Sequence, residues 1–178
     1  MKTRLWQILR FIPVPLLLSV FVAGQAIARP DAPGLLQAPV GEVVLLQAHG
    51  TGSQIYVCRA GADAKFACAL KGPEAELRDL QGTVIGTHFA GPTRKHRDGS
   101  EVTGKPVSRK ESPDTIPWLL LTASAHKGSG AFSGVTSIQR IHTRGGVPPA
   151  TEECVAAKDG VEVKSAYEAD YFFFVAGK

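Results

Sequence analysis

The chain has 178 residues, with 20 basic and 16 acidic side chains, and 44% of its residues are hydrophobic. Three of the basic residues, Lys2, Arg4 and Arg10, lie near the N-terminus, so 17 basic residues face 16 acidic ones from residue 29 onward. This even balance gives no basic surface of the kind that binds nucleic acid or acidic membranes. We therefore expect no nucleic-acid partner.

The first 28 residues have the order of a secretory signal peptide. Basic residues come first, the apolar run FIPVPLLLSVFVAG follows at 11–24, and Ala26 and Ala28 stand where a signal peptidase recognises small residues. The apolar run is shorter than the roughly 20 residues that span a bilayer, and two prolines interrupt it. We predict a cleaved signal peptide at 1–28, an exported protein (periplasmic or extracellular), and no stable membrane span after cleavage.

The rest of the chain has the pattern of short strands that follow a proline-rich, extended lead-in at 29–40. Aliphatic and β-branched residues form each candidate strand, and Gly or Pro turn signals separate the strands. In chain order the predicted strands are 42–50, 53–60, 64–70, 73–80, 82–91, 118–127, 134–143 and 166–176, and for 73–80 one helical turn is the alternative. No 11-residue window has a helical period. The pattern predicts an all-β fold, an antiparallel β-sandwich or barrel, as a single domain over 41–178.

The last predicted strand differs between its two faces. One face carries Tyr167, Ala169, Tyr171, Phe173 and Val175, and the other carries Glu168, Asp170, Phe172 and Phe174. The first half is therefore apolar on one side only, and the second half on both sides. This pattern predicts a strand that enters from the rim and ends in the middle of a packed sheet.

Several long motifs occur in an order that resembles a known family. They are QIYVC, PEAELRDLQGTVIGTHFAGPT, DGSEVTG, IPWLLLTA, IQRIHTRGG and YEADYFFF. From about residue 37 to its end, the chain resembles the exported bacterial and fungal proteins called domain of unknown function 3455. The resemblance implies no activity. The family pattern has a Trp after GPT, where this chain has Arg94, and an aromatic residue where it has Cys68.

Three cysteines follow the signal peptide, and an oxidising compartment favours one disulfide and one free thiol. Cys58 ends a strand in a motif of the family, and Cys154 lies in a loop where a crosslink is useful. Cys68 occupies the aromatic-type position, which indicates burial rather than pairing. We therefore expect a Cys58–Cys154 disulfide, and the competing bridge is Cys58–Cys68.

His88 is the first candidate for a functional residue. It lies mid-strand among small residues that leave room for a group to approach the imidazole. One interpretation is a ligand-binding or metal-binding histidine, and the other is a core histidine whose hydrogen bonds hold the corner. Trp118, the only tryptophan after the predicted signal peptide, is expected beside His88. Arg140 or His142 is expected to complete a polar pocket. These four residues are the ligand-binding candidates.

Two further expectations concern charged residues. The stretch from 86 to 104 is predicted to form a strand, a Gly-Pro corner and a second strand. Its basic part, RKHR at 94–97, precedes the turn signal Asp98-Gly99-Ser100 and is expected in a solvated loop, with an anion site as the alternative. Arg140 lies mid-strand among apolar residues and is expected to pair with a carboxylate such as Asp79 or Asp170.

Motifs for catalysis are weak. No two histidines or cysteines have the spacing of metal ligands, and GAFSGV matches the nucleophile pattern G-x-S-x-G only if Ala131 is read as glycine. We predict no cofactor and no metal. The expected function is non-enzymatic: an exported β module that binds a small ligand or an envelope component. The alternative is an exported enzyme or metal/redox protein with its site around His88.

Overall fold

Eight antiparallel strands close into one barrel in the computed structural model, which describes residues 27–178. The strands are β1 Glu42–Ala60, β2 Phe66–Arg78, β3 Val84–Phe89, β4 Thr93–His96, β5 Glu101–Lys110, β6 Trp118–Lys127, β7 Ser137–Gly145 and β8 Glu162–Ala176. In the described part, the helical elements are three 3-10 turns, Gly34–Leu36, Thr151–Glu153 and Ala156–Lys158. Each strand pairs with the next and β8 pairs with β1. The all-β prediction is confirmed, in its barrel form.

The expected signal peptide, 1–28, lies outside the described residues except for its last two. Within 27–178, no helix has the length and apolar character that a membrane crossing requires.

Two strands are longer than the sequence pattern predicted. The predicted strands 42–50 and 53–60 form the single strand β1, and 64–70 joins most of 73–80 in β2. A Cβ atom added at Gly52 would lie 2.1 Å from the backbone oxygen of Glu74, and one added at Gly50 would lie 2.6 Å from the Tyr171 ring. These glycines therefore permit close packing within the barrel wall and do not form the predicted turn.

The buried residues form two clusters, one inside the barrel and one on its outer wall. Tyr167, Ala169, Tyr171 and Phe173 of β8 point into the interior cluster. Phe172 and Phe174 point outward, where Leu36 and Ala38 of the lead-in cover them. The two-faced pattern predicted for the last strand is therefore confirmed, and the lead-in is what buries its second apolar face.

One end of the barrel, which we call the closed end, is filled by the β4–β5 turn and the β6–β7 loop. Phe132 of that loop is fully buried and stacks on Phe173 with ring centroids 4.5 Å apart. The Asp98 carboxylate accepts hydrogen bonds from the backbone N–H of Ala131 at 2.8 Å and from Ser100. These hydrogen bonds, with that from Ala131 the strongest, hold the pKa of Asp98 below its usual range.

The opposite end, which we call the open end, carries the connections at 61–65, 90–92, 111–117 and 146–161. A disulfide between Cys58 and Cys154 ties the end of β1 to the last of these connections, with the two Cα atoms 5.4 Å apart. The predicted bridge is confirmed. Cys68 lies directly opposite Cys58 on β2 and is a free thiol. It is half-buried, so the prediction that it is buried is only partly right.

Candidate ligand-binding cavity

A cavity of about 470 Å³ occupies the barrel interior toward the open end. Its inner part is lined by buried side chains from five strands and from the segment before β6: Gln54, Tyr56, His88, Arg94, Ile116, Leu121 and Arg140. Its edge is lined by exposed residues, among them Leu70, Pro92, Pro106 and Arg109. The closed end is packed, so the cavity has the form of a cup with one mouth.

Arg94 lies deep in this cavity, on β4. Its side chain points inward next to His88, its directly paired neighbour on β3, and the residue is 1% exposed. Its Nη1 donates to the backbone oxygen of Pro92 at 2.9 Å, and its guanidinium lies 5.2 Å from the centroid of the Tyr171 ring. The prediction of a solvated RKHR loop is therefore wrong for Arg94, because β4 begins directly after the Gly-Pro turn and places this side chain on its inner face.

Arg140 reaches the same cavity from β7. In the sheet it lies opposite Leu119 of β6 and Tyr171 of β8. Its Nη2 donates to the backbone oxygen of Pro117 at 2.8 Å. The prediction that it pairs with Asp79 or Asp170 is wrong. The Asp79 carboxylate accepts backbone N–H groups of its own turn, and the Asp170 carboxylate accepts from two histidines on the outer wall.

His88 is 2% exposed and faces inward, as predicted. Its Nδ1 lies 3.0 Å from the hydroxyl of Tyr167 and 3.2 Å from that of Tyr171, and the two hydroxyls lie 3.3 Å apart. Burial, followed by the charges of Arg94 and Arg140, lowers the pKa of His88 well below its usual value, so the ring is neutral.

The tyrosines also fix the tautomer of His88. Burial raises the pKa of Tyr167, so its phenol keeps its hydrogen and needs an acceptor. The Tyr167 and Tyr171 hydroxyls reach each other and Nδ1 of His88. We assign Nδ1 as the acceptor, because one phenol can then donate to Nδ1 and the other to its neighbouring phenol, and this places the ring hydrogen of the neutral imidazole on Nε2. Nε2–H is then a donor, and it is a buried atom without a partner.

The inner cavity has several such unpaired donors. They are Nε2 of Gln54, Nε2 of His88, Nε of Arg94 and Nε of Arg140. All four residues line the cavity, and none of the lining residues in the described part of the chain is Asp or Glu. Buried polar groups in folded proteins normally have partners, and an unpaired one is costly. The arrangement is therefore suited to a ligand that supplies hydrogen-bond acceptors.

Trp118 and His142 lie elsewhere. Trp118 packs against the outer cluster, with its ring edge on His142 at a centroid distance of 5.2 Å. His142 is exposed, and its Nδ1 lies 2.9 Å from the Asp170 carboxylate. The prediction that Trp118 fills the space beside His88 is wrong, because β6 turns Leu119 and Leu121 inward and leaves Trp118 on the outer face. Of the four candidates, only His88 and Arg140 meet in the cavity.

No three His, Cys, Asp or Glu side chains between residues 27 and 178 are grouped as metal ligands. The groups that do converge in the cavity are cationic and neutral donors.

The sequence interpretation missed Gln54, Tyr56 and Arg94. Arg94 had a usable signal, because it stands between two turn signals, Gly91-Pro92 and Asp98-Gly99, that leave room only for a short strand. Gln54 and Tyr56 alternate within β1, but the sequence does not indicate which of the two faces of this strand lines the interior.

Residues 39–175 match the sequence model of a protein family whose description is "Protein of unknown function (DUF3455)". Comparisons with curated proteins and with solved structures give no match.

Proposed function

The chain belongs to the DUF3455 family, and we propose that it is an exported, non-enzymatic barrel that binds a small organic molecule in its interior. The observation that carries this proposal is the cup-shaped cavity of about 470 Å³ at the open end. This volume falls within the roughly 300–1,000 Å³ of small-molecule sites, which combine apolar walls with a few polar groups.

The construction of the barrel supports binding. An eight-stranded barrel is just wide enough either to fill with side chains or to hold one small ligand. Here the closed end is filled by Phe132 and Phe173, and the open end is not. Leu119, Leu121 and Ile116 supply apolar wall beside the polar groups. A cavity held by a closed ladder of strands and by a disulfide is pre-formed, which reduces the entropic cost of binding.

The surroundings of His88 favour binding over catalysis. A histidine that acts as a general base in a catalytic triad is oriented by a carboxylate and faces a nucleophile. His88 is instead held by two tyrosine hydroxyls, and its burial, together with the charges of Arg94 and Arg140, keeps it neutral. The only serine of the GAFSGV motif, Ser133, is exposed and donates to the backbone oxygen of Gly130.

Export is part of the proposal. Disulfides persist in oxidising compartments, and the Cys58–Cys154 bridge is consistent with such a location. The N-terminal order of charged, apolar and small residues is that of a signal peptide.

A neutral apolar dye, Nile red, tests the cavity. We expect the dye to bind residues 29–178 and to gain fluorescence, and Leu119→Trp, which fills the cavity, to weaken binding at least tenfold. Val107→Trp adds the same side chain on the exposed outer face of β5 and serves as the control. Equal binding of the dye by the two variants would contradict a ligand site in the barrel, provided that circular dichroism shows both variants folded.

A further inference from the structure

We propose that the occupant of the cavity is a small organic acid, bound as its carboxylate anion between Arg94 and Arg140, with its apolar part toward the open end. This inference rests on the proposed function, because it assumes that the cavity is the binding site, and it adds the chemical class of the ligand.

The first argument is charge. Four cationic residues line the cavity, and the two at its edge have carboxylate partners: Lys71 with Glu162 at 2.7 Å, and Arg109 with Glu111. The two inner ones, Arg94 and Arg140, have no acidic partner among the described residues. Buried charges are normally paired, since an unpaired one loses its hydration without compensation. The interior therefore has two positive charges available for an anion.

The second argument is the type of the unpaired groups. Every unpaired buried atom that lines the cavity is an N–H group: on Gln54, His88, Arg94 and Arg140. None of them can be satisfied by a donor. A carboxylate has two oxygens with about four acceptor positions, and arginine N–H groups match its geometry closely. One carboxylate placed among these groups could satisfy several donors at once.

The third argument is the gradient of polarity along the cavity. The unpaired donors are buried, whereas the edge offers apolar surface beside the paired cations Lys71 and Arg109. This apolar surface comprises Leu70, Pro92, Pro106 and Pro117. Leu70 is 58% exposed. A ligand with an acidic head and an apolar body pairs its head with the arginines and covers this apolar edge, and an inorganic anion does only the first.

The test compares ligands that differ only in the head group. Octanoate, 1-octanol and inorganic sulfate are titrated by calorimetry into residues 29–178 at pH 7.5 and constant ionic strength. We expect octanoate to bind at least tenfold more tightly than octanol, and sulfate to bind more weakly than octanoate. Arg140→Gln and Arg94→Gln should each reduce the preference for octanoate over octanol at least fivefold. Arg144→Gln, an exposed arginine on the same strand as Arg140, should not change it.

Each other outcome is decisive. Equal binding of octanoate and octanol, with Nile red also bound, overturns the carboxylate inference and leaves the proposed function standing. Binding of sulfate as tight as that of octanoate shows a site for inorganic anions and overturns the organic acid. Failure of Nile red, octanol and octanoate alike overturns the proposed function and the inference with it. A preference that survives in both arginine variants assigns the selectivity to other groups and contradicts the inference.

Discussion

At the scale of one residue, Arg94 is a buried charge for which no acidic partner occurs among the described residues. Its guanidinium is fully buried, donates to the backbone oxygen of Pro92 and keeps its Nε–H group without a partner between residues 27 and 178. Burial lowers its pKa, but an arginine remains charged in a protein, so the cost is borne by the folded state.

We predict that Arg94→Met stabilises the ligand-free protein. Methionine keeps an unbranched chain in the same space and removes the buried charge, so the free energy of unfolding should rise by about 1–3 kcal/mol. Urea denaturation in the absence of ligand measures the change. Arg97→Met, at an exposed position just after β4, is the control and should change stability little. A loss of stability in Arg94→Met would show that the arginine supports the fold.

His88 predicts a specific loss of stability in acid. Its pKa in the folded protein lies well below the value of about 6.5 that it has when unfolded, so below that pH the unfolded chain binds a proton that the folded chain does not. The stability that His88 contributes is therefore complete above pH 6.5 and decreases as the pH falls. Between pH 7.5 and 5.5 the loss should be on the order of 1 kcal/mol.

His88→Gln should remove this part of the pH dependence and keep a polar side chain near the tyrosines. The measurement is urea denaturation of both proteins at the two pH values. The two proteins differ only at residue 88, so the difference between their pH profiles reports on His88. Parallel profiles would mean that His88 takes up its proton in the folded state.

The sequence predicted the position of a side chain best where neighbouring residues in the chain determine it. The inward position of His88 follows from its strand and its small neighbours. Arg94 was misplaced because a run of charged residues beside a turn signal usually lies in water, and only pairing with β3 and β5 turns this one inward. The position of Trp118 depends on which alternate residues of β6 face the interior. The sequence does not show this, because β6 begins with a run that is apolar on both faces.

At the scale of the strand, the glycines of β1 are required for close approach to β2. We predict that Gly52→Ala destabilises the protein by about 1–3 kcal/mol or more, because its Cβ would overlap the backbone of Glu74 and Ala75. Gly34→Ala, where a Cβ meets nothing within 4 Å, is the matched control and should be close to neutral. Thermal unfolding of both variants compares them. Equal melting temperatures would show that the strands separate there at little cost.

The division of β1 into two predicted strands shows a limit of local patterns. Thr51-Gly52 has the composition of a turn, and glycine serves equally well in a turn and at a point of tight packing. The choice is made by residues distant in sequence, here Glu74 and Tyr171. The last strand could be predicted without this ambiguity, because consecutive apolar residues show directly that both of its faces are apolar.

At the scale of the molecule, the disulfide crosslinks the wall of the open end. We predict that replacing both Cys58 and Cys154 by Ala lowers the free energy of unfolding by about 4–5 kcal/mol, because the bridge joins residues 96 positions apart. The double variant is preferred to a single one, which would leave Cys58 or Cys154 as a thiol near Cys68. Chemical denaturation measures the change, and Cys68→Ala is the control. A loss below about 1 kcal/mol would contradict this estimate.

The sequence did not distinguish a β-sandwich from a β-barrel. Alternation and turn signals are the same in both architectures, and the difference is whether the first strand meets the last one. In this chain that contact is the pairing of β1 with β8, which runs from Glu42 opposite Ala176 to Val57 opposite Glu162.

This β1–β8 pairing also determines when the protein can fold. The first strand finds its second neighbour only after the last strand has been delivered, so a chain that is still being synthesised or exported has two open sheet edges. Such edges are templates for pairing with other chains, and contacts between distant segments form slowly. Any truncation before β8 would leave β1 and β7 exposed together. The β1–β8 pairing that encloses the cavity in the folded protein therefore makes barrel closure a late, all-or-none step. It also makes incomplete chains prone to aggregate.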